Sequence, residues 1–138
     1  MAEYILRIST TQYAVCDEPI VEEAPASYRT VNGTRYISYT VPAIEDAPAV
    51  STIICINEKS LEIRRNGGIR GNILYSIDES ARSRLDLGFS CLDITNETGY
   101  YAIVECDGNL SVTVRYKLFI NDSFVSDCET EILLSRII

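Results

Sequence analysis

The sequence predicts an all-β domain, a small antiparallel meander of about eight to ten strands closed into a barrel, with a β-sandwich as the alternative. Three observations carry this expectation. Apolar and polar residues alternate with a period of two along most of the chain, turn-forming Gly, Asn and Asp recur at near-regular intervals, and no window shows convincing helical periodicity. Barrel ranks above sandwich because mostly short connections imply a meander. Closing a meander on itself removes both exposed edges without a second sheet.

The elements follow in chain order. The opening Met-Ala-Glu-Tyr-Ile-Leu-Arg-Ile alternates and carries an acid at Glu3, unlike the basic segment and apolar core of a secretion signal, so a cytoplasmic location is expected. Asp17-Glu18-Pro19 reads as a loop, and so does the segment from Pro42 to Pro48, because proline cannot donate to a ladder. Between them Asn32-Gly33 is a strong hairpin signal, since both residues of such a turn take positive φ. Val31 then pairs with Thr34, Arg29 with Tyr36 and Tyr28 with Ile37.

A second hairpin joins Val50–Ile56 to Ser60–Arg65 through Asn57-Glu58-Lys59. Gly67, Gly68 and Gly71 interrupt the pattern before two shorter strands, Ile73–Ile77 and Arg84–Leu87, on either side of Asp78-Glu79-Ser80. Asn96-Glu97-Thr98-Gly99 fits a type I turn closed by a left-handed glycine. That turn places Leu92 and Ile94 on one face with Ala102 and Val104, and keeps Cys91 away from Cys106. Leu110 to Ile120 alternates throughout, with every even-numbered residue apolar or aromatic and Phe119 as the exception on the other face. Asn121-Asp122 turns the chain into a last strand with Phe124, Cys128, Ile132 and Leu134 in phase.

The chain of 138 residues suits one domain, residues 1–138, with a single core, and no linker or repeat divides it. A net charge of −8 disfavours nucleic acid and anionic membranes as partners, and no apolar run reaches the ~18 residues of a membrane-spanning helix. Five cysteines, odd in number and widely spaced without a Cys-x-x-Cys pair, indicate buried reduced thiols rather than a disulfide framework or a zinc ribbon.

Several short signatures together are familiar: Tyr36-Ile-Ser-Tyr39, Ile63-Arg-Arg-Asn-Gly67, Leu85-Asp-Leu-Gly88 before an alternating strand, and Leu110…Tyr116-x-Leu118 with Asn121. They resemble the YwiB-like family of uncharacterised bacterial proteins over most of the chain from about Tyr28 onward. The resemblance implies a calycin-like, lipocalin-like β-barrel and no particular chemistry. Where the family tends to carry an acidic residue after the second tyrosine, this chain has Thr40 and Val41, and its segment from Pro42 to Pro48 is longer than usual.

The absence of histidine removes the usual neutral-pH base, nucleophile activator and metal ligand together, so no enzyme, cofactor or metal is expected. Asn66-Gly-Gly-Ile-Arg-Gly-Asn72 lacks the lysine of a phosphate-binding P-loop. Two groups of residues remain as candidates for a ligand site. Arg64, Arg65, Arg70, Arg82 and Arg84 are half of the ten arginines and form a positive island in an acidic chain, suited to a small anion if their guanidinium groups converge. Alternation sends Arg64 and Arg65 to opposite faces, and pairing with surface acids is the competing assignment. Tyr36 and Tyr39, with Tyr75, Tyr100, Tyr101 and Tyr116, could line a barrel interior around a small apolar ligand, or the interior could be filled by its own side chains.

The expected function is therefore a non-enzymatic barrel that binds a small apolar or anionic ligand. The alternative is a structural or interaction module that uses an exposed edge or the Pro42 to Pro48 segment to recruit a partner or to form a homodimer.

Overall fold

The computed structural model describes residues 3–43, 45, 46 and 48–137. Ten strands follow one another: β1 (Tyr4–Gln12), β2 (Cys16–Val31), β3 (Thr34–Val41), β4 (Val50–Ile56), β5 (Ser60–Gly67), β6 (Arg70–Ser76), β7 (Ser80–Asp86), β8 (Cys91–Cys106), β9 (Asn109–Ile120) and β10 (Ser123–Arg136). Each pairs antiparallel with its neighbour in sequence, and β1 pairs with β10 from Tyr4↔Arg136 to Gln12↔Cys128, which closes the meander into a barrel. The expected closure over a sandwich holds, and so does the hairpin register Val31↔Thr34, Arg29↔Tyr36 and Tyr28↔Ile37. Asn32 and Gly33 take φ of 50° and 84°, as a two-residue turn matched to strand twist demands. Val50–Ile56 and Ser60–Arg65 pair as expected through Ile54↔Ile63.

Several local expectations are corrected. Asn96 to Gly99 does not turn. β8 runs straight through it, because Asn96 and Glu97 are laddered to β7 and Asn96 to Thr98 are laddered to β9 at the same time. A bulge between Thr98 and Tyr100 replaces the hairpin and inverts the alternation, so Tyr101 and Ile103 pack on the core whereas Val104 is exposed. The chain reverses instead at Asp107-Gly108, with φ of 51° and 82°. Asp17-Glu18-Pro19 lies inside β2 rather than in a loop. Pro19 is accommodated by an irregularity in the β1–β2 ladder, and β2 is laddered to β3 only from Ser27 onward, so no partner there requires its missing N–H. A further bulge between Phe124 and Ser126 turns Phe124 outward onto Phe119 and places Ser126 inside. The connection after β3 is irregular where it is described; Ile44 and Ala47 lie outside the described residues.

The thiols divide. Cys55 and Cys128 are buried, whereas Cys91 and Cys106 are exposed at the two ends of β8, contrary to the expectation of burial. The side chain of Cys16 lies outside the described residues.

Up-and-down connectivity gathers the turns β1–β2, β3–β4, β5–β6, β7–β8 and β9–β10 at one end, here called the mouth. The opposite half is plugged. Leu6, Ile37, Ile54, Ile56, Leu61, Leu110, Val112, Ile132 and Leu134 are almost wholly excluded from water and interdigitate across the barrel. Burying each such side chain is worth about 1.5–3 kcal/mol, so this half carries most of the hydrophobic stabilisation. Toward the mouth, the inward phase of β1, β4, β5 and β10 changes character. Leu6 and Ile8 are followed by Thr10 and Gln12; Ile56 and Ile54 are preceded by Thr52; Leu61 and Ile63 are followed by Arg65; and Ile132 is preceded by Thr130, whereas β8 runs away from the mouth and carries Asn96 and Thr98 one and two positions deeper than Ile94 on the same face.

Candidate functional site

The change from aliphatic to polar lining leaves a cavity of about 250 Å³ in the mouth half of the barrel. Its apolar wall comes from Ile8, Ile63, Ile73, Ile94, Leu118 and Ile120, and its polar groups are Thr10, Gln12, Arg65, Tyr75, Asn96, Tyr116 and Thr130. Larger hollows of about 430 and 420 Å³ lie over β2–β4 and over β7–β9, but they are more open surface grooves.

Strand pairing explains the site's most unusual wall. β6 and β7 are laddered to each other only at Arg70↔Asp86 and Gly71↔Leu85. Each is held instead by its outer neighbour, β6 by β5 as far as Ser60↔Ser76 and β7 by β8 as far as Ser80↔Glu97. Beyond Gly71 a seam therefore opens in the barrel. The Asn96 side chain of β8 reaches across it, and its Nδ2 donates to the Leu74 carbonyl of β6 at 3.0 Å. A carbonyl only accepts, so this bond fixes the amide's orientation and directs Oδ1 away from it. Asn96 is 1% exposed and, among the described residues, its Oδ1 has no hydrogen-bond partner. The hydroxyls of Ser83 and Thr98, buried on the same stretch of β7 and β8, also lack a partner among the described residues. Such atoms cost about 1–3 kcal/mol each when buried without a partner.

Across the cavity stands Arg65, half-buried at the end of β5. Its Nη1 donates to Thr52 Oγ1 at 3.4 Å, and among the described residues it takes part in no ion pair. The inward carboxylate beyond it, Glu22, accepts a hydrogen bond from the Tyr39 hydroxyl at 2.7 Å. Burial, followed by that bond, pushes the Tyr39 hydroxyl up to about 12, against a smaller opposing pull from Arg65. The third feature is a hydroxyl chain. Tyr116 and Thr130 share a hydrogen bond of 2.9 Å, and Thr130 shares another of 3.2 Å with Thr10. Tyr75 packs edge-on against Tyr116 with ring centroids 4.8 Å apart, and burial raises both phenolic pKa values.

The structure does not bring the arginine island together. Arg64 pairs with Glu62 at 2.9 Å, Arg84 with Asp93 at 3.1 Å and Arg82 with Asp122, all on the outer wall. Arg70 is exposed opposite Asp86. Arg65 alone of the five lines the interior cavity. Of the two tyrosines singled out, Tyr39 is inside, whereas Tyr36 lies half-buried on the opposite face of β3 with the Arg29 guanidinium 5.6 Å from its ring centroid. Among the additional tyrosines, Tyr75 and Tyr116 line the cavity and Tyr100 is exposed beneath Arg115. Asn96, Thr10, Gln12 and Thr130 were not candidates in the sequence. Their signal is a polar residue in the inward phase of a strand otherwise aliphatic, as at Asn96 two residues after Ile94.

No curated protein matches the chain. Its fold is similar to the crystal structure of the ywiB protein from Bacillus subtilis, with a TM-score of 0.83 over 99% of this chain and 93% of that one at 15% identity. That likeness shows a shared barrel, and residues 6–132 also match a family model covering most of the strands. The chain therefore belongs to the family described as a domain of unknown function, DUF1934.

Proposed function

We propose that this barrel is a non-enzymatic binding protein that holds one small ligand in the mouth-side cavity. The observation that carries the reading is the pairing of a hollow of about 250 Å³ with a buried acceptor, Asn96 Oδ1, that has no hydrogen-bond partner among the described residues. A barrel plugged at one end and open-cored at the other has the architecture of a cup, and polar groups fixed in a mostly aliphatic wall are how such cups orient their contents. Binding is favoured over catalysis by the state of the groups that face the cavity. Burial holds the phenolic pKa values of Tyr75 and Tyr116 up, so these hydroxyls are not poised to give up a proton near neutral pH. The exposed thiols of Cys91 and Cys106 suit a reducing compartment, in line with a cytoplasmic protein.

The test is native mass spectrometry of protein purified gently from cells, alongside Ile73→Phe, which projects a larger ring into the cavity. A small adduct on the wild type that is lost in Ile73→Phe, with the melting temperature retained, supports the reading. Identical spectra without adduct, together with no thermal shift for the wild type across a library of neutral and charged metabolites, would sink it.

A second reading rests on β2. Along residues 16–26 it is laddered to β1 alone, and Ile20 and Val21 are exposed there, so a second copy of the chain could add its own β2 to this edge. Light scattering across concentration, with Ile20→Lys as the control, separates a dimer from a monomer.

A further inference from the structure

Resting on the cavity as a ligand site, we infer that its ligand is a small carboxylate that also carries a hydroxyl, the carboxylate meeting Arg65 and the hydroxyl donating to Asn96 Oδ1. Each half of this chemistry comes from a different strand and a different physical requirement. A guanidinium is a permanent cation, so one drawn into a partly dehydrated hollow, as that of Arg65 is, needs an anion or is held there at a cost. Among the described residues its one hydrogen bond is to the neutral Thr52 hydroxyl, and it forms no ion pair with Glu22, whose carboxylate accepts from Tyr39. One guanidinium balances one negative charge, which favours a carboxylate over a phosphate dianion, and its fork donates to two carboxylate oxygens side by side.

Asn96 supplies the opposite requirement. Its nitrogen is committed to Leu74, so what it presents is an acceptor, and an acceptor selects a donor on the ligand. A simple fatty acid has no such donor and leaves Oδ1 unpaired. A site with a buried polar group discriminates strongly against analogues that cannot pair it. Ile63, Ile73 and Ile94 then receive a short aliphatic body. A cavity of about 250 Å³ is roughly eight times a water's share of liquid volume, which limits the ligand to about eight to ten non-hydrogen atoms.

Six-carbon probes of matched shape test each half, measured by calorimetric titration against the full chain. The probes are 2-hydroxyhexanoate and 6-hydroxyhexanoate, which place the hydroxyl near to or far from the carboxylate, together with hexanoate and hexane-1,2-diol. The expected result is that one hydroxyhexanoate binds, that hexanoate binds roughly tenfold more weakly for want of one hydrogen bond, and that the diol does not bind measurably. Arg65→Gln, which keeps a donor for Thr52 but no charge, should lose at least tenfold in affinity for the hydroxy acid, while Arg65→Lys keeps more of it.

A diol that binds as well as the hydroxy acids, or an Arg65→Gln variant of unchanged affinity, would overturn the anion assignment and leave the cavity itself as a site. Hexanoate binding as tightly as both hydroxy acids would overturn the donor assignment and mean that water alone satisfies Asn96. Failure of all four probes would overturn this ligand class, and loss of the cavity as a site follows only if the purified protein also carries no adduct.

Discussion

Tyr39 shows how much a single inward residue contributes. Its hydroxyl is held to Glu22 at 2.7 Å and pushed up to about 12, whereas in the unfolded chain it ionises near 10. The folded state therefore binds the phenolic proton more tightly. This contribution to stability is complete below about pH 10 and is lost as pH rises through about 12. Urea unfolding at pH 8 should show Tyr39→Phe less stable than wild type by about 1.5–3 kcal/mol, the value of a hydrogen bond to a charged acceptor, and the gap should narrow above pH 10. Thiols make a second residue-scale prediction. Cys91 and Cys106 are exposed and should react with a thiol reagent in the native protein, whereas Cys55 and Cys128, buried and with pKa raised by that burial, should react only on unfolding. Mass mapping of the labelled peptides checks this site by site.

At the scale of elements, turns and seams shape the barrel more than strand propensity does. Gly33 and Gly71 both sit at positive φ, 84° and 124°, but in different surroundings. Nothing lies within 4 Å of where a Cβ at Gly33 would project, whereas at Gly71 the Arg84 carbonyl oxygen stands 2.1 Å away, across the short ladder that starts the β6–β7 seam. Gly33→Ala should cost about 1 kcal/mol, the strain of a left-handed residue alone, whereas Gly71→Ala should cost about 3 kcal/mol or more because backbone must move. Comparative chemical denaturation of the two variants measures the difference. A shifted seam should also disturb the Asn96 to Leu74 bond, so Gly71→Ala should lose ligand affinity where Gly33→Ala does not.

For the molecule as a whole, the division into a plugged half and a hollow half predicts an asymmetry in core substitutions. Ile54, fully buried in the plugged half, should cost about 2–5 kcal/mol as Ile54→Ala. Ile73 borders the cavity and is only partly buried, so Ile73→Ala should cost less, by about 1 kcal/mol or more. Thermal melts of the pair test this. A hydroxy-acid ligand should raise the melting temperature of Ile54→Ala and wild type alike, because the site is in the other half.

Much of this was legible locally. Asn32-Gly33 specified its hairpin register and Asn121-Asp122 its turn, since a two-residue turn leaves the flanking strands no freedom in pairing. The strict alternation of Leu110 to Ile120 identified a one-faced strand, and the accumulation of such strands implied closure. Asp107-Gly108 was equally readable and lost out to Asn96-Glu97-Thr98-Gly99, a turn sequence overridden by ladders on both sides. The two bulges in β8 and β10 could not be read, because one inserted residue inverts every later side chain and depends on the partner strand. The site was half legible. Arg65 and Tyr39 were named, but alternation along one strand cannot tell which arginines of an island find surface acids on other strands and which one turns inward alone. The sequence by itself determined strands, several turns and the all-β class, all set by neighbours along the chain. Only the tertiary structure decided that the inward polar residues of six strands meet at one level of a closed barrel, because that level is set by register and shear across the sheet.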